Sequence, residues 1–156
     1  MDSVRRISSF SVDHDLIDEG IYISRIDGDI TTYDMRTRKP NMGDYMDNIT
    51  MHSVEHMFAT YVRNSKIGDD IIYFGPMGCR TGFYLLVRNA DNAQVLDVVL
   101  DVLSKITFEA DVMFGATRVE CGNYLELDLD SAKCEAKRYL DVLNSRPQDF
   151  KYKDSK

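Results

Sequence analysis

From Asp91 onward, the apolar residues Val95, Val98, Val99, Val102, Leu103 and Ile106 recur at i, i+3, i+4, i+7, i+8 and i+11. That spacing lines one side of an α-helix, and Asp91 suits its N-cap. A helix with one apolar stripe must bury it against something else, and two β-rich stretches supply the surface. "GIYISRIDGDITTYDMRTRKP" contains two strand-like runs around Asp27-Gly28, a dipeptide suited to the positive φ angles of a tight hairpin, and ends at Pro40. "DIIYFGPMGCRTGFYLLVRN" reads as a short strand, a turn rich in glycine and proline that holds Cys79, and a second strand bearing Phe83 to Val87. A further strand is expected around "TRVECGNYLEL", and a last helix over about 131–143, where Ala132, Ala136, Tyr139, Leu140 and Leu143 share a face. Strands and helices alternate irregularly, which predicts an α+β fold: a single domain with an antiparallel sheet packed by a few helices.

Size and charge narrow the function. A chain of 156 residues with 44% hydrophobic composition can bury one core, so we expect one domain over residues 1–148 and a frayed polar tail over 149–156. The net charge of −7 argues against nucleic acid or an anionic membrane as the main partner, since both select clustered Lys and Arg. The sequence has no apolar run of signal-peptide or membrane-spanning length. Cys79, Cys121 and Cys134 are odd in number, widely spaced and without a Cys-x-x-Cys pair. This pattern favours a reducing cytoplasm with free thiols over a disulfide framework or a four-cysteine zinc site.

The chemistry concentrates in "MHSVEHMFATYVRNS". At about 100° per residue, Val54, Phe58, Tyr61 and Val62 gather on one side of a helix, and His52, Glu55, His56, Ala59 and Arg63 on the other. Histidines at i and i+4 project from adjacent turns and can converge on one cation, with the i+3 carboxylate beside them as a potential base. A solvated polar face is the bland alternative. His52-Ser53-Val54-Glu55-His56 matches the inverted zinc-peptidase pattern, in which two histidines hold zinc and the glutamate activates water. Such a peptidase needs a further protein ligand and a substrate cleft, and is a much larger chain.

Two cysteines offer partners for that helix. Cys121 is followed by Gly122, which gives the backbone room to bend at a ligand, and a third donor of this kind leaves a tetrahedral cation one open position. Cys79 sits among glycines and precedes Arg80, a cation that would favour the thiolate if turned inward; an inert turn cysteine is the alternative. Cys134, among Lys133, Glu135 and Lys137, receives no role.

Taken together, "SFSVDHD", "TYDMR", "HSVEHMFATYVRN", "GPMGCRTGFYLL" and "ECGNYLELDL" resemble the S-ribosylhomocysteine lyase (LuxS) family, in order from about residue 8 to 143. The resemblance implies a homodimeric α+β fold and one divalent metal per subunit, Fe²⁺ natively with Zn²⁺ or Co²⁺ possible, held by His52, His56 and Cys121. It implies cleavage of S-ribosyl-L-homocysteine to L-homocysteine and 4,5-dihydroxy-2,3-pentanedione, the autoinducer-2 precursor, without a redox cofactor. Glu55 and Cys79 would be the acid/base pair, and Ser9, His14, Arg36 and Arg63 would bind substrate. The active site would lie at the dimer interface, with Cys79 and the metal from different chains. Many family members carry an acidic residue where this chain has Tyr73, so the subsite for the substrate's amino-acid end stays unassigned.

Two other readings compete. A metal-dependent hydrolase would share the helix motif but has no use for a cysteine base opposite the metal. A metal-stabilised interaction protein would saturate the cation with protein ligands.

Overall fold

The computed structural model describes residues 4–153. Four strands form one antiparallel sheet in the order β1-β2-β4-β3: β1 is Gly20–Asp27, β2 Ile30–Arg36, β3 Ile71–Pro76 and β4 Gly82–Arg88. The expected first hairpin forms, but Asp27 pairs with Ile30, so its two-residue loop is Gly28-Asp29. Gly28 has φ +60° at the first central position, the place a type II′ turn reserves for glycine.

A short helix, α1 (Ser8–Ser11), precedes the sheet, and three long helices cover one of its faces. They are α2 (Asn48–Arg63), α3 (Asn92–Phe108) and α4 (Leu129–Asn144). Each starts on an aspartate whose carboxylate accepts an amide three residues on: Asp47 from Thr50, Asp91 from Gln94, and Asp128 from Ser131. The last of these caps starts α4 earlier than the apolar pattern alone suggested. The α3 stripe, from Val95 to Ile106, is fully buried, as its spacing requires.

The core lies between these helices and alternate residues of the strands, including Ile21, Tyr33, Met35, Phe74, Phe83 and Leu85. Phe74 stacks between Phe58 of α2 and Phe83 of β4, with ring centroids 4.4 and 5.0 Å apart. These contacts set α2 on the sheet with its histidine face turned away from the core.

Two expectations fail. No strand forms over 117–127; the segment is a turn-rich loop ending in a 3-10 turn, Tyr124–Glu126. Its backbone closes on itself instead, with the amides of Glu120 and Cys121 both donating to the Thr117 carbonyl, each at 3.1 Å. The tail does not fray over 149–153. Ile23 N–H donates to the Phe150 carbonyl (2.8 Å), Phe150 is buried against Tyr33, and Tyr152 stacks on Tyr22 and donates to Asp34 Oδ2 (2.7 Å). The lysines that made the tail look solvated alternate with aromatic rings that pack inward; residues 154–156 of that tail lie outside the described part.

Candidate active site

Helix α2 presents the motif as its periodicity requires. Val54, Met57, Phe58 and Val62 are buried, while His52, Glu55 and His56 are partly accessible on the other side and Arg63 is exposed. The rings of His52 and His56 stand edge to face, with centroids 4.7 Å apart.

The third member arrives from the long connection between α3 and α4. Cys121 Sγ lies 3.4 Å from His52 Nε2 and also accepts from the Asn123 amide (3.4 Å). One donor atom from each of His52, His56 and Cys121 falls within 4.8 Å of the other two. Ser53, buried on α2, helps to set this loop by accepting the Asp128 amide (2.8 Å).

The remote nitrogens are also placed. His56 Nδ1 faces the Phe114 carbonyl at 2.9 Å, an approach that Gly115 permits. That glycine has φ +69°, and a Cβ there would stand 2.7 Å from His56 Nδ1. His52 Nδ1 is buried and lies 3.2 Å from Glu126 Oε2. Two imidazoles and one thiol, held at their backs and converging at their fronts, fit a first-row divalent cation such as Zn²⁺, Fe²⁺ or Co²⁺.

Beside this group, a cavity of about 310 Å³ is lined by Asn48, Met51, His52, Glu55, Pro76 and Glu126. A separate cavity of about 340 Å³ gathers Ser9, His14, Arg36 and Cys79, with Phe10, Pro76 and Tyr84 among its other walls. Three residues named from sequence, Ser9, His14 and Arg36, thus meet the fourth, Cys79, and two, His52 and Glu55, line the metal-side cavity. Arg63 lines neither; its guanidinium reaches the Ile71 carbonyl at 3.5 Å.

The turn carrying Cys79 is tied down from outside. Arg80 N–H closes it onto the Met77 carbonyl, and the Arg80 and Thr81 carbonyls accept the amides of Met46, Thr37 and Arg38. The Arg80 side chain is not turned toward Cys79: its guanidinium sits over the Tyr45 ring, 5.9 Å from the centroid. The cation linked to the thiol is Arg36. Cys79 Sγ lies 3.0 Å from Thr81 Oγ1, which accepts from Arg36 Nη1 at 2.8 Å. Arg36 is itself locked to Asp34 by two bonds of 3.0 and 2.6 Å, with both side chains almost completely buried. Burial works against the Arg36 charge, but Asp34 and then Cys79 more than offset it and raise the pKa.

A metal-capable His/His/Cys group on an α+β scaffold, with a carboxylate beside it and a second polar cavity around a cysteine, defines a metal-dependent enzyme site of the class suited to proton transfers. Comparison with known proteins specifies the family. The S-ribosylhomocysteinase (LuxS) family model matches residues 7–149. The chain is 40% identical over 156 residues to the S-ribosylhomocysteine lyase of Borreliella afzelii, covering 96% of this chain and 99% of that one. It is 41% identical over 148 residues to that of Clostridium beijerinckii (90% and 92%), and 38% over 147 residues to that of Finegoldia magna (91% and 94%). The chain belongs to the LuxS family.

Proposed function

We propose that the protein is a metal-dependent carbon–sulfur lyase that converts S-ribosyl-L-homocysteine into L-homocysteine and 4,5-dihydroxy-2,3-pentanedione, the autoinducer-2 precursor. The observation that carries this reading is the convergence of His52, His56 and Cys121 in a chain of this family.

His52, His56 and Cys121 would hold the cation, Fe²⁺ in the native state, which would supply positive charge against the negative charge that develops on the sugar's oxygens. The chain's own groups move the protons. In each of two isomerisations, a base takes the proton from the hydroxyl-bearing carbon next to the carbonyl and returns one to the former carbonyl carbon, while the hydroxyl proton passes to the former carbonyl oxygen, so that the carbonyl moves from C1 to C2 to C3. Once it is at C3, removal of the C4 proton drives the C5–S bond to break, the electron pair leaves on sulfur as homocysteine thiolate, and the enol left at C4–C5 passes its O–H proton to C5 to give the pentanedione. Glu55 carboxylate and Cys79 Sγ share these transfers from opposite sides of the sugar.

Ser9, His14 and Arg36 bind the ribose around Cys79, in keeping with the cavity they share. Arg63 acts from the α2 end and joins the site only when a second subunit covers the helix. A homodimer agrees with two features. Of the metal group, His52 lines one cavity of the chain, whereas Cys79 lines another that shares only Pro76 with it. In addition, the sheet face away from the helices is an open groove of about 430 Å³ between Ile7, Tyr73, Tyr84 and Leu86. In this reading one subunit supplies Cys79 and its partner the metal. No helix among the described residues is long and apolar enough to cross a membrane, and the free thiols suit the cytoplasm.

The test is free thiol released from S-ribosylhomocysteine by Co²⁺-loaded protein. The parent protein releases one homocysteine per substrate and Cys79→Ala releases none. No release by the parent would refute the lyase assignment.

A further inference from the structure

Within this metal reading, one side chain that the activity leaves unassigned stands directly behind a ligand. We propose that Glu126 is a positioning residue for His52, fixing which of its ring nitrogens faces the metal.

A neutral imidazole carries one N–H and one lone pair, and only the lone pair can bind a cation. Whatever takes the N–H at the rear therefore decides which nitrogen is available in front. For His56 the rear partner is backbone: its Nδ1 lies 2.9 Å from the Phe114 carbonyl, which accepts the proton and leaves Nε2 as the donor atom. His52 has no such carbonyl. Its Nε2 faces Cys121 Sγ at 3.4 Å, and its Nδ1 is buried without an aligned hydrogen bond. The Glu126 carboxylate stands 3.2 Å from that Nδ1. Asn123 Nδ2 donates to the same Oε2 at 3.2 Å and holds the carboxylate in place.

Local chain geometry makes the arrangement economical. Cys121 and Glu126 belong to one loop, with Glu126 closing the 3-10 turn Tyr124–Glu126 that packs on α2. The segment that brings the thiolate to the front of His52 brings a carboxylate to its back. A carboxylate behind a ligating histidine raises the basicity of the metal-facing nitrogen as well as orienting the ring. Glu126 and Glu55 line the same cavity but have different tasks: Glu126 stands against His52 and Asn123, and Glu55 is the acid/base group of the proposed reaction.

The experiment is competition for Co²⁺ between a chelator and the metal-free protein, comparing the parent with Glu126→Ala and Glu126→Gln, with the visible Co²⁺ spectrum recorded for each. Glu126→Ala is expected to weaken Co²⁺ binding about 10- to 100-fold. Glu126→Gln, whose amide oxygen still accepts the Nδ1 proton, should lose less. Melting of the metal-free forms should stay close to the parent's, because the Glu126 side chain is 30% exposed. Affinities unchanged in both variants would overturn the proposal. So would a Glu126→Gln protein that binds Co²⁺ like the parent yet has lost turnover, since that pattern marks a catalytic acid or base. A parent that binds Co²⁺ but releases no homocysteine would defeat the lyase reading and leave this one standing; a parent that binds no Co²⁺ would defeat both.

Discussion

His52 Nε2 and Cys121 Sγ lie 3.4 Å apart although 69 residues separate them in sequence. The histidine is fixed by the register of a helix packed on the sheet; the cysteine is fixed by a loop that doubles back on Thr117 and docks on Ser53. Neither element makes the site alone, so disturbing either should release metal before it unfolds the protein.

Gly115 tests the loop side of that relationship. With φ +69° and His56 Nδ1 only 2.7 Å from the position of a Cβ, Gly115→Ala must displace either the ring or the Phe114 carbonyl. We expect Co²⁺ affinity to fall at least about tenfold, through loss of the group that orients His56. Unfolding stability should fall by about 1 kcal/mol or more from the backbone strain. Chelator competition and urea unfolding read the two effects separately.

The buried Asp34–Arg36 pair is clasped by the chain's end, since Tyr152 OH donates to Asp34 Oδ2 at 2.7 Å. Tyr152→Phe should cost about 1.5–3 kcal/mol for the lost hydrogen bond to a charged acceptor. Asp34→Asn should cost about 3–5 kcal/mol, because it strands a buried guanidinium. Denaturant titrations supply the measurements.

Stability should decline in alkali through Tyr33. This phenol is fully buried and donates to Asn92 Oδ1 at 2.6 Å; burial first, and the Asp91 charge second, push its pKa from 10.0 up to about 12. Below pH 10 the group is protonated whether the chain is folded or not, and its contribution is fully present. Between about pH 10 and 12 the unfolded chain releases the proton while the folded chain keeps it, so stability falls as pH rises. Urea unfolding at pH 9 and pH 11 should show the drop, and Tyr33→Phe should reduce it.

Subunit mixing tests the proposed shared site. Cys79→Ala and His56→Ala homodimers should each be inactive. Unfolding and refolding them together should restore about a quarter of parental activity, carried by heterodimers with one intact site of two. No recovery from a mixture shown to contain heterodimers would place Cys79 and the metal of each site on the same chain.

How far the sequence disclosed this molecule depends on the range of the interactions involved. The α3 stripe, the first hairpin and the two faces of α2 follow from periodicity and turn chemistry, which are local, and the structure has them with shifts of a residue or two. Segment 117–127 looked like a strand because β-branched and apolar residues cluster there. Strand formation needs a partner edge, which the segment lacks, and exposed Val119 and Leu125 show that its apolar groups do not pack inward. The tail misled in the opposite direction, its lysines hiding the alternation that buries Phe150 and Tyr152. In the site, His52, Glu55 and His56 were legible from spacing within one helix, whereas Cys121 needed the family pattern. Arg80 was the nearer candidate for the Cys79 cation in sequence, yet Arg36 fills that place through a strand pairing, Arg36 with Gly82, that no local signal encodes. Glu126 carried no signal beyond its nearness to Cys121.

The central claim is that two imidazoles and one thiolate hold a single cation. Adding Co²⁺ to metal-free protein and following the near-ultraviolet band that a cobalt–thiolate bond produces tests it most directly. The account predicts saturation at one Co²⁺ per chain, with the band present in Cys79→Ala and Cys134→Ala and absent in Cys121→Ala. A band of full intensity in Cys121→Ala would contradict it.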